Sequence, residues 1–157
     1  MPVFSWAFAA GPQAPTSPTP DPNVLQQGGP LVPVQVEIPT VLAQALTQAG
    51  KPVPQPISGQ ALIDTGATLS AVDTQVVTAL GIAPTGLASV GHAAGSAQQP
   101  VFPARIVIPA FNLAVDIQSA LGAQIQGQGI IALLGRDFLR SMLLVYNGTL
   151  GVLTLSF

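Results

Sequence analysis

Between residues 31 and 38 the chain alternates, with Val32, Val34, Val36 and Ile38 on one face and Pro33, Gln35 and Glu37 on the other. That is the period-2 pattern of a half-buried strand, so order is predicted to begin near Leu31. Pro39-Thr40 opens a short predicted helix over 41–49, with Gly50 as the residue just past its end. Prolines at 52, 54 and 56 make 51–56 an extended connector, because proline breaks a helix interior and leaves a gap in a sheet ladder. The apolar stretch 57–63 predicts a strand that runs into Asp64. Beyond it, 69–72 reads as a strand, and Asp73 as the N-cap of a helix over 74–80 that ends at Gly81. Strands at 87–90 and 101–109 flank a small, polar, glycine-bearing stretch, 91–100, which describes a long hairpin with a mobile tip. Another strand is predicted at 111–117, with Asp116 on its polar face. The apolar run 130–134, bounded by Gly129 and Gly135, predicts a strand buried on both faces. One or two helical turns over 136–142 and a terminal hairpin, 142–146 with 152–157 around an Asn147-Gly148 turn, complete a mainly β chain with short helices.

The first thirty residues do not fit this pattern. From Gly11 to Pro33 prolines recur at 12, 15, 18, 20, 22, 30 and 33 amid Ser, Thr, Gln and Gly, a composition that removes backbone donors and supplies little to bury. Residues 1–30 are therefore expected to be a disordered leader, and 31–157 one globular domain. The stretch from Met1 to Ala10 is apolar but lacks a basic flank, and no apolar run approaches the length of a membrane span. A cytoplasmic protein without a membrane span is the expectation.

Composition narrows the chemistry. Charged residues are only 6% of the chain and the formal net charge is -2, which leaves no basic stripe for phosphates and disfavours nucleic-acid binding. So little surface charge favours self-association, for which another copy is the simplest partner. With no cysteine and a single histidine, His92, thiolate and multi-histidine metal sites and disulfides are excluded, and no cofactor is expected. His92 lies near the base of the predicted hairpin tip, where it either touches a ligand or is an ordinary exposed loop residue.

The residue that stands out is Asp64, set directly behind Ala61-Leu62-Ile63 and followed by Thr65-Gly66-Ala67-Thr68. A carboxylate in an apolar setting is costly unless it is hydrogen-bonded, paired or functional. Two readings of Asp-Thr-Gly stay open on these residues alone: an Asp that closes a strand through an Asx-turn, or a reacting group.

A second stretch, Leu133-Leu134-Gly135-Arg136-Asp137-Phe138-Leu139, follows downstream in the order that matters. Together the two motifs resemble the retropepsin-like aspartic proteases, the single-domain retroviral type with its cellular and bacterial relatives. The resemblance covers about residues 31–157. It implies a closed, small β-barrel-like fold that is active as a homodimer and cuts peptide or protein substrates. Asp64 would be catalytic, since two carboxylates about 3 Å apart share one proton and so hold an acid and a base ready together. Thr65 would bond across the dimer axis, Gly66 would leave room for substrate backbone and Ala67 would line the site. His92, Ala93, Ala94, Gly95 and Ser96 would belong to a flap over the substrate. Leu134, Gly135 and Arg136 would lie beneath the catalytic turn, with Arg136 a structural arginine. Leu153, Thr154, Leu155, Ser156 and Phe157 resemble the family's terminal strand and would serve the dimer. Asp137 is expected to cap or pair, not to supply the second carboxylate. Many retroviral members carry an acid where this chain has Thr68, so the tie made by Arg136 is expected to differ. Two competing readings are a catalytically silent peptide-binding or assembly module of the same fold and a purely structural β-domain.

Overall fold

The computed structural model describes residues 2–9, 19–92 and 95–157. The chain divides into two units, one of residues 32–138 and one that combines 1–31 with 139–157.

In order, the elements are β1 (Val3–Ala7), α1 (Pro22–Gly28), β2 (Leu31–Glu37), α2 (Thr40–Gln48), β3 (Ile57–Ile63), β4 (Ala71–Asp73), α3 (Thr74–Ala79), β5 (Gly86–His92), β6 (Gly95–Ile108), β7 (Leu113–Ala123), β8 (Ala132–Leu134), α4 (Arg136–Leu139), β9 (Leu143–Asn147) and β10 (Val152–Ser156). The fold is mainly β with short helices. No helix among the described residues is long and apolar enough to cross a membrane.

The larger unit is a sheet of seven strands in the order β2-β3-β8-β4-β7-β6-β5, and β2 also pairs with β6. That extra pairing joins the two sides of the sheet into a small closed barrel, from which the β5–β6 hairpin extends. The predicted alternation in β2 is what fills it: Val32, Val34 and Val36 are at most 2% exposed. Ala104, Ile106 and Ile108 of β6 are buried in the same alternating way. Pro103 falls at a shift of register between Phe102 and Ala104, where a residue with no N–H leaves no gap in a regular ladder. Arg105 ties this wall together, facing Glu37 at 3.5 Å and Asp116 at 3.5 Å and donating to the Thr40 hydroxyl at 2.7 Å.

The centre of the sheet has an unusual connection. β8 runs parallel to β3, with Ala61, Leu62 and Ile63 opposite Ala132, Leu133 and Leu134, and antiparallel to β4 on its other side. The chain leaving β3 must therefore pass around the end of β8 before it returns as β4. Residues 64–70 make that passage. Asp73 then caps α3 by accepting the Gln75 N–H at 2.9 Å, and Gly81 closes the turn after it at φ 71°, both as expected.

Two expectations change in this unit. The hairpin predicted to open over 91–100 remains a ladder until His92 opposite Gly95. Its polar, small residues do not alternate because a two-stranded ribbon exposes both faces. The strand predicted at 111–117 begins at Leu113 and runs to Ala123, because Ala71, Val72 and Asp73 pair in parallel with Leu121, Gly122 and Ala123.

The second unit corrects the disordered leader. Residues 3–7 form β1, which pairs antiparallel with β10, and the Phe4 and Phe157 rings stack with centroids 5.6 Å apart. Pro22–Gly28 forms α1, capped by Asp21, which accepts the Asn23 N–H at 2.9 Å, and its Leu25 is fully buried. Apolar side chains that a proline-rich composition masks are sufficient to order these segments. The proline-rich residues 10–18 lie outside the described residues. The terminal hairpin forms as predicted, but the tight turn does not fall at Asn147-Gly148. Val152 pairs with Asn147, the left-handed residue is Gly151 at φ 62°, and the Asn147 side chain accepts the Leu150 N–H at 3.0 Å. A Cβ on Gly151 would lie 2.7 Å from the Asp21 carbonyl carbon, so a contact distant in sequence selects glycine there. The order β1-β10-β9 places Leu153, Thr154, Leu155 and Ser156 in the middle strand, with both edges occupied inside one chain. Phe157, which follows the strand, stacks on Phe4.

Candidate active site

Asp64 is the first residue after β3, half-buried, where the chain begins its passage around β8. Its N–H donates to the Leu134 carbonyl at 2.9 Å, which extends the β3–β8 ladder by one step. Its Oδ1 accepts the Gly66 N–H at 2.8 Å and the Ala67 N–H at 3.3 Å. The Asx-turn is therefore real, and it is compatible with a reactive carboxylate: one oxygen is fixed by the loop, while Oδ2 takes no hydrogen bond among the described residues. A Cβ on Gly66 would lie 3.0 Å from Asp64 Oδ1, so glycine keeps that bond short.

The loop is held from beneath by the segment after β8. The Arg136 N–H donates to the Ala67 carbonyl at 2.9 Å and the Asp137 N–H to the Thr68 carbonyl at 3.2 Å. The Arg136 guanidinium donates to the carbonyls of Thr65 at 2.8 Å and Gly66 at 3.0 Å, and to the Thr68 hydroxyl at 2.7 Å. The arginine tie thus differs as expected in its chemistry, with a neutral hydroxyl and two carbonyls where an acid would stand. Gly135 is dictated by space, since a Cβ there would meet the Leu69 carbonyl carbon and oxygen at 2.7 and 2.8 Å and the Ser70 nitrogen at 2.9 Å. Leu134 is fully buried beneath the turn.

Ser70 and Asp137 complete this lacing, and sequence reasoning gave Ser70 no role. Asp137 Oδ1 accepts the Ser70 N–H at 2.8 Å, the Ser70 hydroxyl at 2.7 Å and the Phe138 N–H at 2.8 Å, while the Ser70 Oγ accepts the Gly135 N–H at 3.0 Å. Ser70 is 1% exposed, and a buried hydroxyl needs such partners.

Between the loop and β5 lies a cavity of about 370 Å³, bounded by residues 66–69 on one side and by Ser89, Val90 and Gly91 on the other, with Leu121 between. None of these residues is charged. Ser89, Val90 and Leu121 are lining residues that only the β5–β6 and β6–β7 registers reveal. Of the expected flap residues, Gly95 pairs with His92 at φ 130° and Ser96 pairs with Gly91, both exposed. Ala93 and Ala94 lie outside the described residues. Thr65 is exposed on the loop.

The family described as aspartyl protease matches residues 49–138, more than half of the chain, and spans the Asp64 loop, the β5–β6 hairpin and the β8 turn. The chain belongs to that family. Among solved structures, EIAV protease complexed with an inhibitor is similar at 20% identity, over 71% of this chain and 85% of that one, with a TM-score of 0.46. Simian Foamy Virus (mac) protease is similar at 17% identity, over 69% and 91%, with a TM-score of 0.40. A retropepsin-like aspartic protease from Rickettsia conorii is similar at 15% identity, over 98% and 91%, with a TM-score of 0.45. A comparison with curated proteins found no match.

Proposed function

We propose that this protein is an aspartic endopeptidase of the retropepsin type, working as a homodimer in which each copy lends one Asp64 to a shared site. The observation that carries the reading is the state of Asp64: Oδ1 is held by the Gly66 and Ala67 N–H groups, and the other oxygen takes no hydrogen bond among the described residues. A second Asp64 facing that oxygen gives a dyad that binds one proton between two carboxylates. The ionised carboxylate takes a proton from a water held between the pair as the water oxygen attacks the scissile carbonyl carbon. The protonated carboxyl gives its proton to the carbonyl oxygen. Collapse of the resulting diol breaks the C–N bond as the leaving nitrogen is protonated, and no acyl-enzyme forms. The reaction draws on no metal or cofactor.

In this reading the Thr65 hydroxyl bonds across the two-fold axis, Gly66 admits substrate backbone, and the β5–β6 hairpin is a flap that closes on a peptide bound as an added strand. The uncharged lining of the cleft fits extended, largely apolar substrate segments. The test is a peptide library incubated at acidic to neutral pH with the wild-type chain and with Asp64→Asn. Cleavage by the wild type and its loss in the variant are expected; undiminished cleavage by Asp64→Asn rejects the assignment. A silent peptide-binding module is the second reading, supported by a hairpin that over 86–99 has no Phe, Tyr or Trp to close the site. Binding of a statine-like mimic without turnover of any peptide would favour it.

A further inference from the structure

Over its whole length β10 is enclosed: Val152 to Ser156 each face a partner in β1 on one side and in β9 on the other. A strand enclosed in this way offers no backbone edge to a second molecule. The outer edge of β9 is different, because β9 stands at the end of its sheet and pairs with no further strand among the described residues. Its sequence, Leu143-Leu144-Val145-Tyr146-Asn147, has no charge, proline or glycine. Leu143 is 58% exposed, Val145 47% and Tyr146 50%. Edge strands ordinarily carry a lysine, a proline or a bulge that prevents pairing, and β9 carries none of these. The register also puts Val3, Ser156 and Leu143 in one row and Ser5, Thr154 and Val145 two rows on. Residues two apart share a face, so Leu143 and Val145 of β9 lie on the same face as Val3 of β1, which is 65% exposed, with the buried Ser156 between Val3 and Leu143.

We propose that β9 pairs edge to edge and antiparallel with β9 of a second copy, making one continuous six-stranded sheet from the two smaller units. The occupant is a second copy for three reasons. The endopeptidase reading, on which this inference rests, needs two Asp64 residues and each chain has one Asp-Thr-Gly. Antiparallel pairing of one strand with its own copy is what a two-fold axis produces from a single edge. With ten charged residues in the chain and none on β9, no repulsion opposes like meeting like. Symmetric pairing along the full strand sets Val145 opposite its copy.

The experiment is sedimentation of the full chain at micromolar concentration, with circular dichroism of each variant. The wild type and Asp64→Asn are expected at twice 15.9 kDa. Val145→Lys sets two like charges face to face across the axis and is expected at the single-chain mass, with an unchanged spectrum and loss of cleavage. Val145→Thr, and Val41→Lys at a site 77% exposed on α2, are expected to remain dimers. A folded Val145→Lys that stays dimeric overturns the β9 interface and leaves the peptidase reading to the Asp64→Asn comparison. A wild type at single-chain mass throughout overturns the interface as well. Should Val145→Lys fail to fold, amide exchange in the wild type decides: protection along β9 that grows with protein concentration supports the pairing, and protection independent of concentration refutes it.

Discussion

Asp73 is a buried carboxylate whose worth can be worked out from its partners. It is 1% exposed; Oδ1 accepts the Gln75 N–H at 2.9 Å, and Oδ2 accepts those of Ile125 at 3.0 Å and Gln126 at 2.9 Å. One side chain therefore caps α3 and fixes the 125–126 turn. Asp73→Ala removes both acceptor oxygens and with them all three bonds, leaving the buried Ile125 N–H and the part-buried Gln126 N–H without this partner. Hydrogen bonds to a charged group contribute about 1.5–3 kcal/mol each and a helix cap about 1 kcal/mol. Because the three share one carboxylate and do not add fully, the expected loss is about 3–5 kcal/mol. Asp73→Asn keeps one acceptor oxygen and should lose roughly half of that. The pH dependence has a definite sign. Burial raises the Asp73 pKa, and the N–H groups of Gln126, Ile125, Gln75 and Val76 lower it by more, so the net value lies below the ordinary 3.8. A lowered folded-state pKa means that the stabilisation is complete above 3.8 and fades as pH falls through the folded value. Urea unfolding followed by circular dichroism, at neutral pH and well below the ordinary pKa, should show the gap between wild type and Asp73→Asn narrowing on acidification. Amide exchange at Ile125 and Gln126 should rise in the variants. A gap that does not change with pH, or an Asn variant as stable as wild type at neutral pH, would refute the reasoning.

The loop around β8 gives two further expectations. Gly135→Ala pushes a methyl group against the Leu69–Ser70 backbone, which has no soft side chain to yield, and should cost about 1–3 kcal/mol, read as a lower urea midpoint together with reduced cleavage. Arg136→Met removes the donors to Thr65, Gly66 and Thr68 and should lower kcat about tenfold or more with a smaller change in KM. Arg136→Lys should recover only part of this, because an ammonium cannot span three acceptors as the planar guanidinium does; full recovery would mean that charge alone matters.

Asp64 was legible because its signal is local: an acid after three apolar residues, then Gly66, whose N–H returns to it. The β2 strand and the capped helix after Asp73 were legible for the same reason. What escaped depends on contacts distant in sequence. Ser70 reads as an ordinary strand residue until Asp137, 67 positions away, is brought to its hydroxyl. The extension of β7 to Ala123 exists because β4 lies beside it, although the polar Gln118 and Ser119 interrupt its apolar pattern. The strand at Val3–Ala7 was hidden by the proline-rich composition that follows it, and its order comes from β10 and Phe157. The parallel seating of β8 beside β3, on which the Asp64 loop depends, leaves no trace in the periodicity of either strand.

The hydroxyls of Ser5 and Thr154 meet at 2.9 Å although 149 positions separate them. During synthesis, residues 32–138 emerge as one contiguous stretch and can begin to fold, whereas β1 must wait until β10 has left the ribosome. If copies join through β9, assembly is tied to that last event. On the endopeptidase reading, a nascent chain would then carry its Asp64 without a second carboxylate until β10 has emerged.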